Sequence, residues 1–134
     1  MKIRKNHWLI KAMLSISLMS FYSINPAEAE NQHRVPTRKA GVASYYHDKF
    51  HGRITSSGDV FDQNKLTAAH NSLPLGTRLL VTNLKNNRSV VVKVNDRMNK
   101  SNNRLIDLSK KAAKELGFIR TGLTKVKIEI LRNI

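Results

Sequence analysis

A small, mostly-β barrel carrying a single short helix is the fold this sequence predicts, and three observations support the prediction. Between residues 41 and 131, short β-branched runs recur, separated by turn residues, as in all-β domains. Only Ser109 to Gly117 has the composition and the end signals of a helix. With 134 residues, 40% apolar and 25% charged, the chain has room for one globular domain. Its composition also lacks the bias of a collagen, a coiled coil or a disordered chain.

In chain order, residues 1–29 read as a cleaved export signal. Lys2, Arg4, Lys5 and Lys11 form a basic start, residues 12–24 carry no charge, and Ala27-Glu28-Ala29 places small residues where a signal peptidase reads them. That uncharged run falls short of the roughly 20 apolar residues needed to cross a bilayer. The chain has no cysteine, so no lipid anchor, disulfide framework or cysteine-based zinc site is expected. The mature protein should begin near Glu30 and be periplasmic or secreted.

Residues 30–40 (ENQHRVPTRKA) are polar and aperiodic and contain Pro36, which reads as a flexible leader ahead of a barrel over 41–131. Gly41–Tyr46 and Leu66–Ala69 are short candidate strands. RLLVTNL (78–84) and RSVVVKVN (88–95) form a hairpin around Lys85-Asn86-Asn87, with Asn87 suited to a left-handed turn position. Ser109 is placed to cap the helix SKKAAKELG and Gly117 to end it. The closing run TKVKIEIL alternates, which puts Val126, Ile128 and Ile130 on one core-facing side.

The charge balance narrows the function classes. Lys plus Arg number 24 against 9 Asp plus Glu; without residues 1–29 the balance is 20 against 8, a formal charge of +12. Such a field attracts polyanions of any kind. The basic residues are scattered along the chain, not gathered on one helix or tail, and export argues against intracellular nucleic acid.

Strand parity points to one acidic residue. Val90, Val92 and Val94 share a face of the second hairpin strand, and the same period brings Asp96 to the inward side where the strand ends. A carboxyl at the rim of an apolar core loses hydration, which raises its pKa and suits a general acid. Arg97 opposes that effect if its guanidinium turns back. Both outcomes are open at this point.

From Gly41 the motifs follow one another as GVASYYHDKFHGRITSSGDVFD, LTAAHNSLPLGTRLLVTNLKNNRSVVVKVNDR and LIDLSKKAAKELG. This succession resembles the rare lipoprotein A family of septal-ring lytic transglycosylases and, more distantly, the barrel domain of expansins. The resemblance implies a six-stranded double-psi β-barrel with an open groove, acting on peptidoglycan glycan strands, with division-machinery proteins as further partners. It also implies cleavage between N-acetylmuramic acid and N-acetylglucosamine that leaves a 1,6-anhydromuramoyl end. In such a reaction one carboxyl group can protonate the leaving oxygen and then accept the proton of the C6 hydroxyl. A hydrolase that uses water normally needs a second carboxylate.

By the same resemblance, Asp96 of the NDR motif is assigned as general acid and base. Asp59 of SSGD supports charge at the reacting centre, and the two aspartates could exchange roles. His70 of TAAH hydrogen-bonds the substrate or a carboxylate. Tyr46 and Arg97 are expected to contact sugar, by aromatic packing and by multiple donors.

Each assignment has a plainer rival. Asp59 in a turn-like tetrad can simply bond nearby amides, and Asp96 beside Arg97 can close the barrel end as an ion pair. His70 could be an ordinary buried histidine. Asp107, just ahead of the helix, is read as stabilising the helix N-terminus. His47 and His51, four apart, lack the glutamate of a zinc-binding HExxH, so neither a metal nor any other cofactor is expected.

The chain departs from the family pattern at three places. It has Asp59 where glutamate is usual, Met98-Asn99 where Gly-Pro is usual, and Tyr45 where tryptophan is common. These departures keep a second function in view: a non-catalytic, expansin-like module that binds and loosens wall glycan. A nucleic-acid-binding barrel is the remaining and weaker alternative.

Overall fold

The computed structural model describes residues 38–132, so the expected export signal over 1–29 and most of the expected leader lie outside the described residues. Six strands close into a barrel in the order β1-β5-β2-β4-β3-β6. They are β1 (Arg38–Tyr45), β2 (Thr67–Ala69), β3 (Arg78–Asn83), β4 (Ser89–Asp96), β5 (Ile106–Leu108) and β6 (Thr124–Leu131). Helix α1 (Lys110–Leu116) follows β5. Two of the neighbour pairs, β1 with β5 and β2 with β4, are parallel and the rest antiparallel. This is the closed six-stranded barrel with one helix that was expected.

The core follows from strand alternation. Leu79 and Val81 of β3, Val90, Val92 and Val94 of β4, and Val126 and Ile128 of β6 are all buried, and Ala112, Ala113 and Leu116 of α1 join the same cluster. Ile130, the third expected core residue of β6, is only partly buried and packs against the cluster from its edge. Closure leaves no long free strand edge, which removes the aggregation hazard of an open sheet.

The hairpin forms between β3 and β4 with Leu80 opposite Val91, and Asn87 takes a φ of 60°. Ser109 Oγ accepts from the Ala112 amide, and Gly117 ends α1 with a φ of 76°. β1 begins at Arg38, so Arg38, Lys39 and Ala40 belong to the barrel and not to a leader; they pair with Glu129, Ile128 and Lys127 of β6.

Two features were not anticipated. β5 is a three-residue strand whose Ile106 and Leu108 are buried, in a stretch that sequence treated only as the approach to the helix. β4 also carries a bulge: Ala68 pairs with Val94 but Ala69 pairs with Asp96, which leaves Asn95 without a partner on β2. Asn95 is buried, so strict inward-outward alternation stops there and Asp96 emerges at a strand end with a new direction.

Candidate functional site

Asp96 lies on an open groove of about 630 Å³ at one end of the barrel. The aromatic wall of this groove comes from the end of β1 and the segment after it. Tyr46 packs on Phe61 with ring centroids 4.5 Å apart and on Phe50 at 5.6 Å. Phe61 is buried beneath them. The other wall includes Arg97, Met98 and Asn99 beyond β4, and Arg104 and Asp107 around β5.

The Asp96 carboxylate is held by four donors. Tyr46 donates its hydroxyl to Oδ2 at 2.6 Å. Oδ1 accepts from the Ser56 amide at 3.0 Å, the Ser56 hydroxyl at 2.9 Å and the Arg97 amide at 2.8 Å. Burial pushes this carboxyl upward, but the donors from Tyr46, Ser56 and Arg97 outweigh it and hold the group below its ordinary range. The resting groove therefore presents a carboxylate. The opposing tendencies left open by the sequence are settled by hydrogen bonding, and the Arg97 side chain has no part in it. Its guanidinium turns away, and Nη1 donates to the His70 carbonyl at 2.8 Å. Burial, and then the hydrogen bond to an anion, push the Tyr46 phenol far above its usual value, so it remains a proton donor.

The expected site residues fall into two groups. Asp96, Tyr46 and Arg97 line the groove together. Asp59 and His70 are not among its lining residues. Asp59 is exposed on a turn closed by the Ile54–Val60 bridge, and its carbonyl accepts from the amide and hydroxyl of Thr55. Its carboxylate makes no hydrogen bond or ion pair among the described residues.

His70 is buried just behind the strand end. Its Nδ1 accepts from the amides of Ser72 and Leu73, and its own amide donates to the Asp96 carbonyl. Burial first, then the charges of Lys39 and Arg97, lower its pKa, so the ring is neutral with its proton on Nε2. His70 thus braces the loop beside Asp96 and supports it through the main chain.

Sequence reasoning missed two contributors. Arg104 grips Asp107 in a bidentate pair, with Nε to Oδ1 at 2.7 Å and Nη2 to Oδ2 at 3.0 Å, and both residues line the groove. The reading of Asp107 as a helix-terminus residue is therefore corrected. Ser109 caps α1, the Lys110 amide donates to Gln63 Oε1, and Asp107 is engaged by Arg104 instead. The alternation of Ile106, Asp107 and Leu108 was the available signal. For Ser56 no such signal existed, because its contact with Asp96 joins residues forty positions apart.

The two histidines considered for zinc are committed elsewhere. His47 Nδ1 accepts from the Lys49 amide and His51 Nδ1 from the Gln63 amide. Among the described residues no three His, Asp or Glu side chains converge as a metal site would require.

Comparison with known proteins agrees with this fold. The endolytic peptidoglycan transglycosylase RlpA of Haemophilus influenzae is 57% identical over 93 residues, covering 69% of this chain and 32% of that protein. Its namesake from Pseudomonas aeruginosa PAO1 is 46% identical over 110 residues, or 82% of this chain and 30% of that one. The chain thus spans about a third of the length of these relatives. Among solved structures, a mutant Clavibacter michiganensis expansin in complex with cellohexaose aligns with a TM-score of 0.58 at 22% identity, covering 72% of this chain and 52% of that one. The Streptomyces papain inhibitor aligns with the same score and identity over 71% of this chain and 94% of its own. At such identity these two likenesses speak for the double-psi β-barrel fold alone. The family model described as lytic transglycolase matches residues 38–128, nearly the whole barrel, and the chain belongs to that family.

Proposed function

We propose that this protein is an exported endolytic peptidoglycan lytic transglycosylase. It would cleave between N-acetylmuramic acid and N-acetylglucosamine and leave 1,6-anhydromuramoyl ends in the course of septal wall remodelling. The observation that carries this reading is the placement of Asp96: a partly exposed carboxyl at a strand end, on an open groove walled by aromatic rings and wide enough for a saccharide. A pyranose can pack on Tyr46 and Phe50, while Arg104 and the loop amides beyond Asp96 offer donors to acetamido and lactyl groups.

Asp96 performs both proton transfers in this reading. In the empty groove it is anionic, so its acid role begins when the glycan arrives. A sugar laid across the groove expels water, which strengthens the upward push of burial, and any donor it draws away weakens the opposing one. The protonated carboxyl then gives its proton to the glycosidic oxygen as positive charge grows at the anomeric carbon. The carboxylate that results stabilises this charge and takes the proton of the C6 hydroxyl as the anhydro ring closes. No water is consumed, so no second carboxylate is needed to activate one. Asp59 closes the neighbouring turn through its main chain, and His70 holds the strand end in place. Division proteins remain the proposed partners.

Digestion of purified glycan strands with mass spectrometry of the products tests the proposal. The protein should release anhydro ends, Asp96→Asn should lose that activity by about a hundredfold or more, and chelation should leave it unchanged. Reducing ends would indicate hydrolysis by water and overturn the mechanism.

A second reading, the non-catalytic wall binder, is favoured by two observations: the resting carboxylate is ionised, and Asp59 stands outside the groove lining. Glycan bound but never cut would decide for it.

A further inference from the structure

We propose that Ser56 is a positioning residue that clamps the Asp96 carboxylate at the groove lip and keeps it ionised until glycan binds. The idea deepens the lytic transglycosylase reading and rests on it for its catalytic consequence. It makes Ser56, and not Asp59, the side chain through which the SSGD turn reaches the reacting group.

The geometry supports this directly. Ser56 places both its amide and its hydroxyl on the same oxygen, Asp96 Oδ1, at 3.0 and 2.9 Å. Hydrogen bonds to an ionised acceptor are the stronger kind, and two from one residue also fix direction. The turn that presents Ser56 is itself tied down. Thr55 donates its amide and hydroxyl to the Asp59 carbonyl, the Gly58 amide donates to the Thr55 carbonyl, and the Ser57 amide donates to the Asn95 carbonyl of the bulge. The bulge that re-aims Asp96 and the turn that grips it are therefore joined. Asp59 closes this turn through its main chain, so its contribution to Asp96 passes through Ser56.

The surroundings of Asp96 leave Ser56 a distinct share of the control. Tyr46 approaches Oδ2 from the end of β1, and the Arg97 amide approaches Oδ1 from Asp96's own strand end. From β2, His70 is neutral and gives only a main-chain bond, while its carbonyl takes up the Arg97 guanidinium. On the β5 side, the charge of Asp107 is matched by Arg104, and Arg53 and Lys49 lie further along the groove wall, near Phe50. Among these neighbours, only the Ser56 hydroxyl and the Tyr46 hydroxyl are side-chain donors on the carboxylate. Ser56 is the exposed one, and a ligand can displace it without disturbing the aromatic wall.

The test is a carbon-13 NMR titration of the Asp96 carboxyl in the whole protein, with the resonance assigned by its loss in Asp96→Asn. Ser56→Ala removes the hydroxyl donor and should move the midpoint to higher pH, while Ser56→Thr should keep it near the wild-type position. Asp59→Asn should leave it in place. The alkaline limb of the cleavage profile should shift upward with Ser56→Ala, in step with the titration, because a larger fraction of the acid would then carry a proton. A midpoint unmoved by Ser56→Ala, or moved equally by Asp59→Asn, would overturn the proposal. Absence of cleavage by every form would instead sink the lytic transglycosylase reading while leaving the titration to judge Ser56.

Discussion

Protonating His70 would cost this molecule more than a solvation change. Its Nδ1 is the acceptor for two consecutive loop amides, Ser72 and Leu73, and a proton there would turn both bonds into repulsions. The folded-state pKa lies below the ordinary 6.5, lowered first by burial and then by the charges of Lys39 and Arg97. The sign follows from linkage: between the two values the unfolded chain holds more protons, so the histidine's contribution is complete above about pH 6.5 and declines as the pH falls through the folded value. Unfolding measured across that interval should show wild type losing stability faster than His70→Gln. Equal pH dependence in the two would show that the ring tolerates protonation.

The same residue shows how much of the site sequence could reveal. His70, Asp96 and Tyr46 were legible as a set because each sits in a motif, yet their division of labour was not. Whether a histidine faces ligand or its own loop depends on which amides converge on it. Likewise the ionisation of Asp96 depends on Tyr46 and Ser56, partners brought to it only by the closed barrel.

Elements were legible wherever a pattern ran for several residues. The β3–β4 hairpin, β6 and the capped helix all repeat their signal over two or more turns or alternations, and they appear where expected. β5 offers only Ile106, Asp107 and Leu108, too short a run to separate from a helix lead-in, and the β4 bulge is a register effect between strands that no single strand encodes.

The elements are joined at a few demanding points. Gly41 in β1 faces Leu105, just ahead of β5, and a Cβ there would lie 2.7 Å from the leucine Cβ. Gly41→Ala should thus destabilise the barrel by about 1–3 kcal/mol in urea unfolding, and a neutral result would mean that the β1–β5 crossing can widen. Asn83, buried at the end of β3, donates to the Leu116 carbonyl at 2.9 Å and accepts from the Lys85 amide and the Thr124 hydroxyl, each at 3.0 Å. It ties the hairpin, the end of α1 and the start of β6 together. Asn83→Leu strands those partners, and a cost of about 1–3 kcal/mol is expected on the same assay.

At the scale of the whole molecule, charge and chemistry are separable, and their separation can be measured. The chain carries a formal charge of +15, while the described carboxylates that meet cations at short range are few: Glu129 with Arg38 and Lys127, Asp107 with Arg104, and Asp48 with Lys110. Arg78 and Lys93 even stand directly opposite each other across β3 and β4, a like-charge pair that a sheet does not favour by itself. Under the proposed function, the surplus would create a long-range field that draws the protein to an anionic wall, and salt screens such a field within about 10 Å at 0.1 M. The proton transfers proposed at Asp96 act over hydrogen-bond distances inside the groove and are screened far less. Raising salt should therefore weaken binding to intact sacculi by wild type and Asp96→Asn alike, while cleavage of short soluble glycans by wild type changes little. If Asp96→Asn lost its hold on sacculi, the aspartate would be a binding residue first. If salt suppressed cleavage of short glycans as strongly as attachment to the wall, the field would be acting within the reaction itself, and the two roles could not be assigned to different parts of the protein.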